Sequence, residues 1–151
     1  MADKISRRDF IKRSAVGVVI GGAAISGLNL DAFSAQSSKK AVFKRSGDDL
    51  LVKLSDNPAL GTVGGAVTVA DDIMLIRTDE SKFIAVSTIC RHKGCTVELE
   101  GEKFVCPCHG SEYTKEGKVT QGPAKTDLKA FETMFDSKSG QVTIKTPTTD
   151  K

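Results

Sequence analysis

The decisive stretch reads Cys90-Arg91-His92-Lys93-Gly94-Cys95, then ten residues on, Cys106-Pro107-Cys108-His109-Gly110-Ser111-Glu112-Tyr113. All 4 cysteines and both histidines of the 151-residue chain fall inside it. Soft and borderline metal donors gathered so tightly point to one metal centre built from two loops. A zinc finger needs a Cys pair followed by a His pair a few residues apart. Here each His instead follows a Cys, as Cys90-x-His92 and Cys106-x-x-His109. Two loops of one design suggest two metals side by side, each loop giving one thiolate and one imidazole. Cys95 and Cys108 are then left over, one per loop.

Outward from these loops the chain reads as short strands. Leu50–Leu54, Val67–Val69, Ile73–Arg77 and Lys82–Thr88 precede them; Lys118–Val119, Leu128–Phe135 and Gln141–Lys145 follow. Turn residues separate the runs, including Asp56-Asn57-Pro58, Gly64-Gly65 and Ser137-Lys138-Ser139-Gly140. No long amphipathic helix is readable after residue 40, so the body is expected to be an all-β sandwich or small barrel. With no Trp and 7 Phe, its core must rest on aliphatic side chains.

The N-terminus has another character. Ser6-Arg7-Arg8-Asp9-Phe10-Ile11-Lys12 stands directly before an uncharged apolar run, Ser14–Leu30. That order is the pattern of a twin-arginine export signal, and the run is long enough for a signal core or a short anchor. Segments 1–34, 35–41, 42–146 and 147–151 are expected to be signal or membrane anchor, flexible linker, globular domain and tail. The first 30 residues hold five of the 22 Lys/Arg and two of the 19 Asp/Glu, so the rest carries 17 of each. A balanced body excludes a nucleic-acid footprint, and no nucleic-acid partner is expected. Export leads to an oxidising compartment where a disulfide persists. The expected location is the periplasmic face of a bacterial inner membrane, or the periplasm itself if the signal is cleaved.

Over residues 88–124 the motifs resemble those of Rieske iron–sulfur proteins, most closely the subunits of cytochrome bc-type complexes (quinol–cytochrome c or plastoquinol reductases). The resemblance implies a [2Fe–2S] cluster with Cys90 and Cys106 on one iron and His92 and His109 on the other. It implies a Cys95–Cys108 disulfide clamping the loops. It also implies that Ser111 and Tyr113 hydrogen-bond to sulfur and raise the potential, within a range of about −150 to +300 mV. Gly94 and Gly110 would let the backbone approach the cluster. The implied fold is an antiparallel β-sandwich base with a small inserted cluster-binding subdomain over about 88–124, preceded by one N-terminal hydrophobic helix.

The function implied is one-electron transfer from quinol to a cytochrome, with a ring nitrogen of one cluster histidine, His92 or His109, as the group that meets the quinol. Its partners would be a cytochrome b-type membrane subunit, a c-type cytochrome acceptor and the inner membrane. No catalysis is expected from the chain alone. The alternatives are a periplasmic Rieske carrier, free or tethered, and the small subunit of a molybdenum oxidase of the arsenite oxidase type. A dioxygenase ferredoxin fits least, because such proteins generally lack the extra cysteine pair. Gly122-Pro123-Ala124 resembles the proline loop that covers the cluster, with Lys125 in place of the family's second Pro. Lys93 stands where the family typically carries an apolar Leu, either covering the cluster with its stem or making the tip cationic.

Overall fold

The computed structural model describes residues 39–146. The expected leader, hydrophobic helix and tail lie outside them. Twelve strands and one short helical turn follow in order: β1 (Lys39–Lys40), β2 (Phe43–Ser46), β3 (Asp49–Lys53), a 3-10 turn (Pro58–Gly61), β4 (Ala66–Val69), β5 (Ile73–Arg77), β6 (Phe83–Ser87), β7 (Glu98–Glu100), β8 (Lys103–Val105), β9 (Glu112–Thr114), β10 (Val119–Gln121), β11 (Ala130–Asp136) and β12 (Gln141–Lys145). The all-β expectation holds.

The larger sheet runs β1-β4-β5-β6-β11-β12-β3-β2. It turns back on itself at β11, whose first two residues pair with β6 and whose last five pair with β12. Leu50 and Val52 of β3 and Val142 and Ile144 of β12 alternate inward, in register with one another. They share one core with Val67, Val69, Ile73, Leu75, Phe83 and Ala85 from the other half. This is the sandwich base. Its pairings are antiparallel except at the edge, where β1 runs parallel to β4. Lys39 and Lys40, expected in the linker, are therefore in a strand, and Ala41 behind them is buried.

Strand β5 explains why Ile73-Met74-Leu75-Ile76 is uniformly apolar instead of alternating. Successive side chains point to opposite faces, and here both faces are covered. Ile73 and Leu75 enter the base core. Met74 and Ile76 enter a second core, with Val86, Val97, Phe104, Tyr113, Ala124 and Leu128. That second core is the floor of the cysteine loops.

Between β6 and β11 the chain inserts a four-stranded antiparallel sheet, β10-β9-β8-β7. Phe104 and Tyr113 lie opposite each other on β8 and β9, and both are fully buried. Burying an aromatic side chain of this kind contributes about 1.5–3 kcal/mol, so the pair anchors an otherwise thin subdomain. Leu128 binds back by donating its N–H to Gly117 O at 2.8 Å. The two cysteine loops project from this sheet, one before β7 and one between β8 and β9.

Candidate metal centre

Both cysteine loops have the same backbone frame. In the first, Cys90 N–H donates to Cys95 O at 2.7 Å and Gly94 N–H to Cys90 O at 3.0 Å. In the second, Cys106 N–H donates to Ser111 O at 2.8 Å and Gly110 N–H to Cys106 O at 2.9 Å. Each five-residue turn closes on a glycine with positive φ, +77° at Gly94 and +73° at Gly110. A Cβ built at either glycine meets no protein atom within 4 Å, so conformation requires the glycine within the protein itself. The frame aligns Cys90 with Cys106, while the histidines sit one position out of step, third in one turn and fourth in the other.

Cys95 and Cys108 are joined in a disulfide, their Cα atoms 6.5 Å apart. Cys90 and Cys106 remain free thiols, and both are buried. The sulfurs of Cys95, Cys106 and Cys108 lie within 4.8 Å of one another. That trio is no single-ion site, because the disulfide removes two of the three as thiolate donors. The donors with lone pairs to offer are Cys90, Cys106, His92 and His109. The imidazoles of His92 and His109 meet edge to face, with ring centroids 4.9 Å apart. His92 Nδ1 is buried and has no hydrogen-bond partner. A buried unpartnered ring nitrogen costs free energy unless something accepts its lone pair, and a metal ion does so. The donor set of two thiols and two imidazoles, with one imidazole nitrogen left open, therefore fits a Cys2His2 cluster.

Tyr113 reaches under the first loop. Its hydroxyl lies 3.2 Å from Cys90 Sγ and accepts the Arg91 N–H at 3.3 Å, which leaves its own proton for the sulfur. Burial, reinforced by the bond to Cys90, pushes the phenol up to about 12. Burial by itself would raise the Cys90 thiol. The Tyr113 hydroxyl, the His92 backbone and the Cys106 and Ser111 side chains outweigh it and hold Cys90 below its ordinary value. The pocket favours thiolate, the form that binds metal.

Ser111 is fully buried, and its oxygen accepts the Ala124 N–H at 3.0 Å. This bond ties the proline loop to the second cysteine loop. Gln121 adds a second tie by donating Nε2–H to Gly110 O at 3.2 Å. Asp127 anchors the far side of the proline loop, accepting from Val119 N at 2.9 Å and Lys118 Nζ at 2.8 Å. The Gly122–Pro123 bond in this loop is cis. Sequence reading assigned no part to Gln121 or Asp127. Single polar residues in loops carry no periodic signal, and only their distant partners show what they do. His109, Lys93 and Arg91 stand exposed at the outer end, and His92 is half-buried.

Two buried thiols and two adjoining imidazoles, clamped by a disulfide on an all-β scaffold, fit the class of iron–sulfur proteins with mixed ligation. The Rieske [2Fe-2S] domain model matches residues 43–132, and the chain belongs to that family. Its fold is the Rieske fold, and its cofactor is the [2Fe–2S] cluster. Among curated relatives, the cytochrome b6-f complex iron-sulfur subunit of Chlorobaculum tepidum is 35% identical over 68 residues, covering 44% of this chain and 38% of that one. The corresponding subunit of Microcystis aeruginosa is 32% identical over 111 residues, covering 52% and 62%. The chain thus spans less than two thirds of these relatives' length. A crystal structure of the cyanobacterial plasma membrane Rieske protein PetC3 from Synechocystis PCC 6803 is 30% identical, with a TM-score of 0.46 over 54% of this chain and 84% of that one.

Proposed function

We propose that this chain is a one-electron relay in which Cys90 and Cys106 hold one iron and His92 and His109 the other. The observation carrying this reading is the meeting of the two imidazoles 4.9 Å apart, with the free thiols buried behind them. Neutral imidazoles in place of two thiolates ease reduction, and this is the redox chemistry the bound cluster supplies. The protein's own residues tune and guard it. Tyr113 donates toward Cys90, Ser111 stands ready to donate toward the sulfur side, and Cys95–Cys108 locks the two loops together. His109 is exposed and offers the route outward to a reaction partner.

The setting we infer is a membrane cytochrome bc-type complex, in which the chain takes electrons from quinol and passes them to a cytochrome. Its relatives from Chlorobaculum tepidum and Microcystis aeruginosa, named as cytochrome b6-f subunits, support this reading. Residues 1–34 would export the protein by the twin-arginine route and tether it on the periplasmic side, with the residues between 34 and Lys39 as linker to the domain, which begins at β1. A cytochrome b-type subunit and a c-type acceptor follow as partners. A periplasmic carrier outside such a complex is the second reading, favoured by the exposed Lys93 at the tip. Ser111 and Tyr113, both present, count against a molybdenum-oxidase subunit.

The dithionite-reduced full chain, purified from detergent-solubilised membranes, should show the rhombic low-field EPR signal of a Cys/His-ligated [2Fe–2S] centre. A colourless, zinc-loaded protein would overturn the relay. Co-purification with a di-haem cytochrome b supports the complex, and a cluster protein that elutes alone favours the carrier.

A further inference from the structure

The three loops around the cluster ligands, residues 90–97, 106–111 and 121–126, contain Arg91, Lys93 and Lys125 and no Asp or Glu. Elsewhere in residues 39–146 there are 13 Lys/Arg against 15 Asp/Glu. The charge is therefore separated: three cations gather at the ligand end, and a small negative excess covers the remainder. All three are exposed, and none forms an ion pair among the described residues. Five other lysines do pair, Lys40, Lys103, Lys115, Lys118 and Lys145. Three like charges left together at one end, with no acid inside the three loops to offset them, form a surface with an open electrostatic demand.

We propose that Arg91, Lys93 and Lys125 form a cationic docking rim for an acidic electron-transfer protein. The inference deepens the relay reading and rests on it. The placement is specific. Lys93 adjoins His92, whose ring touches that of the exposed His109. Lys125 adjoins Ala124, which is bonded to Ser111. Arg91 is held by its backbone bond to the Tyr113 hydroxyl. The rim thus sits on the first cysteine loop and on the proline loop that is tied to the second, and a partner docked there is brought to the exposed imidazole. Whatever binds such a rim must accept or give an electron, which favours a redox protein over an anionic lipid surface. Charges of this kind act mainly on encounter rate and orientation, and salt screens them over about 8–10 Å.

The test uses detergent-solubilised full chain that shows the cluster's EPR signal, so a missing signal counts against the relay and not the rim. Its reduced form is mixed in stopped flow with two c-type cytochromes of similar potential, one acidic and one basic. The acidic cytochrome should react about tenfold faster or more at low ionic strength and lose that advantage as salt rises. A Lys93→Glu, Lys125→Glu double change should reverse the preference while retaining the EPR signal. Lys138→Glu, in the β11–β12 turn, should leave it intact. Equal, salt-independent rates, or a preference that survives the double change, would overturn the proposal. So would a double change that alters only sedimentation with anionic vesicles.

Discussion

The hydroxyl of Tyr113 lies 3.2 Å from Cys90 Sγ while accepting the Arg91 N–H, so one buried phenol spans the start of the first cysteine loop. A hydrogen bond to sulfur strengthens as the cluster gains an electron, so it favours the reduced state. Tyr113→Phe keeps the ring in the second core and removes only the bond. We expect the midpoint potential to fall by tens of millivolts, since a differential of about 1 kcal/mol is about 40 mV for one electron. An unchanged redox titration would show that the hydroxyl does not tune the cluster.

Ser111→Ala should lower the potential as well, and it should have a second effect that Tyr113→Phe lacks. It strips the partner from the Ala124 N–H and frees one tie of the proline loop. Hydrogen exchange at Ala124 should accelerate in this variant alone. Protection retained at Ala124 would mean that the tie contributes nothing.

The Cys95–Cys108 bond closes a short loop, with a sequence separation of 13. A crosslink over such a loop is worth about 3 kcal/mol. Replacing both cysteines by Ala should therefore hasten loss of the cluster's visible absorbance on heating. The base core contains neither residue, so its far-ultraviolet melt should move much less. Identical shifts in the two melts would argue that the units unfold together.

Gly94 and Gly110 sit at φ +77° and +73° in open space. Alanine at either position should cost about 1–2 kcal/mol through backbone conformation alone, without a clash. Apo-protein melts would separate this strain from any effect on cluster binding. A neutral substitution at both sites would refute it.

The Lys118 ammonium, then the Val119 N–H, hold the Asp127 carboxyl below its usual range. A carboxyl with a lower pKa folded than unfolded adds stability above its unfolded value, near 3.9, and loses it as pH falls through the folded one. Asp127→Asn should thus be less stable than the parent at pH 7, with the gap closing below about pH 4. A gap independent of pH would mean that the carboxylate's charge plays no part.

The sequence by itself determined what lies close along the chain. Two short motifs named the donors, because cysteine and histidine are chemically specific and their spacing is local. Alternation marked the base strands, since Leu50, Val52, Val142 and Ile144 each follow the period of two. Strands β7, β8 and β9 left no such trace. Each is three residues long with a charged residue at one or both ends, and pairing across the sheet rather than pattern makes them strands. Nor could sequence show that Ser111 accepts from Ala124, thirteen residues away, or that β5 serves two cores at once. Only the tertiary structure decided these, because a buried hydroxyl or a two-faced strand is defined by partners brought together through folding. The same limit applies to the charge. Arg91 and Lys93 share the first cysteine loop, but Lys125 lies more than thirty residues on, and it joins them only because the proline loop folds onto the cysteine loops through Ser111 and Ala124.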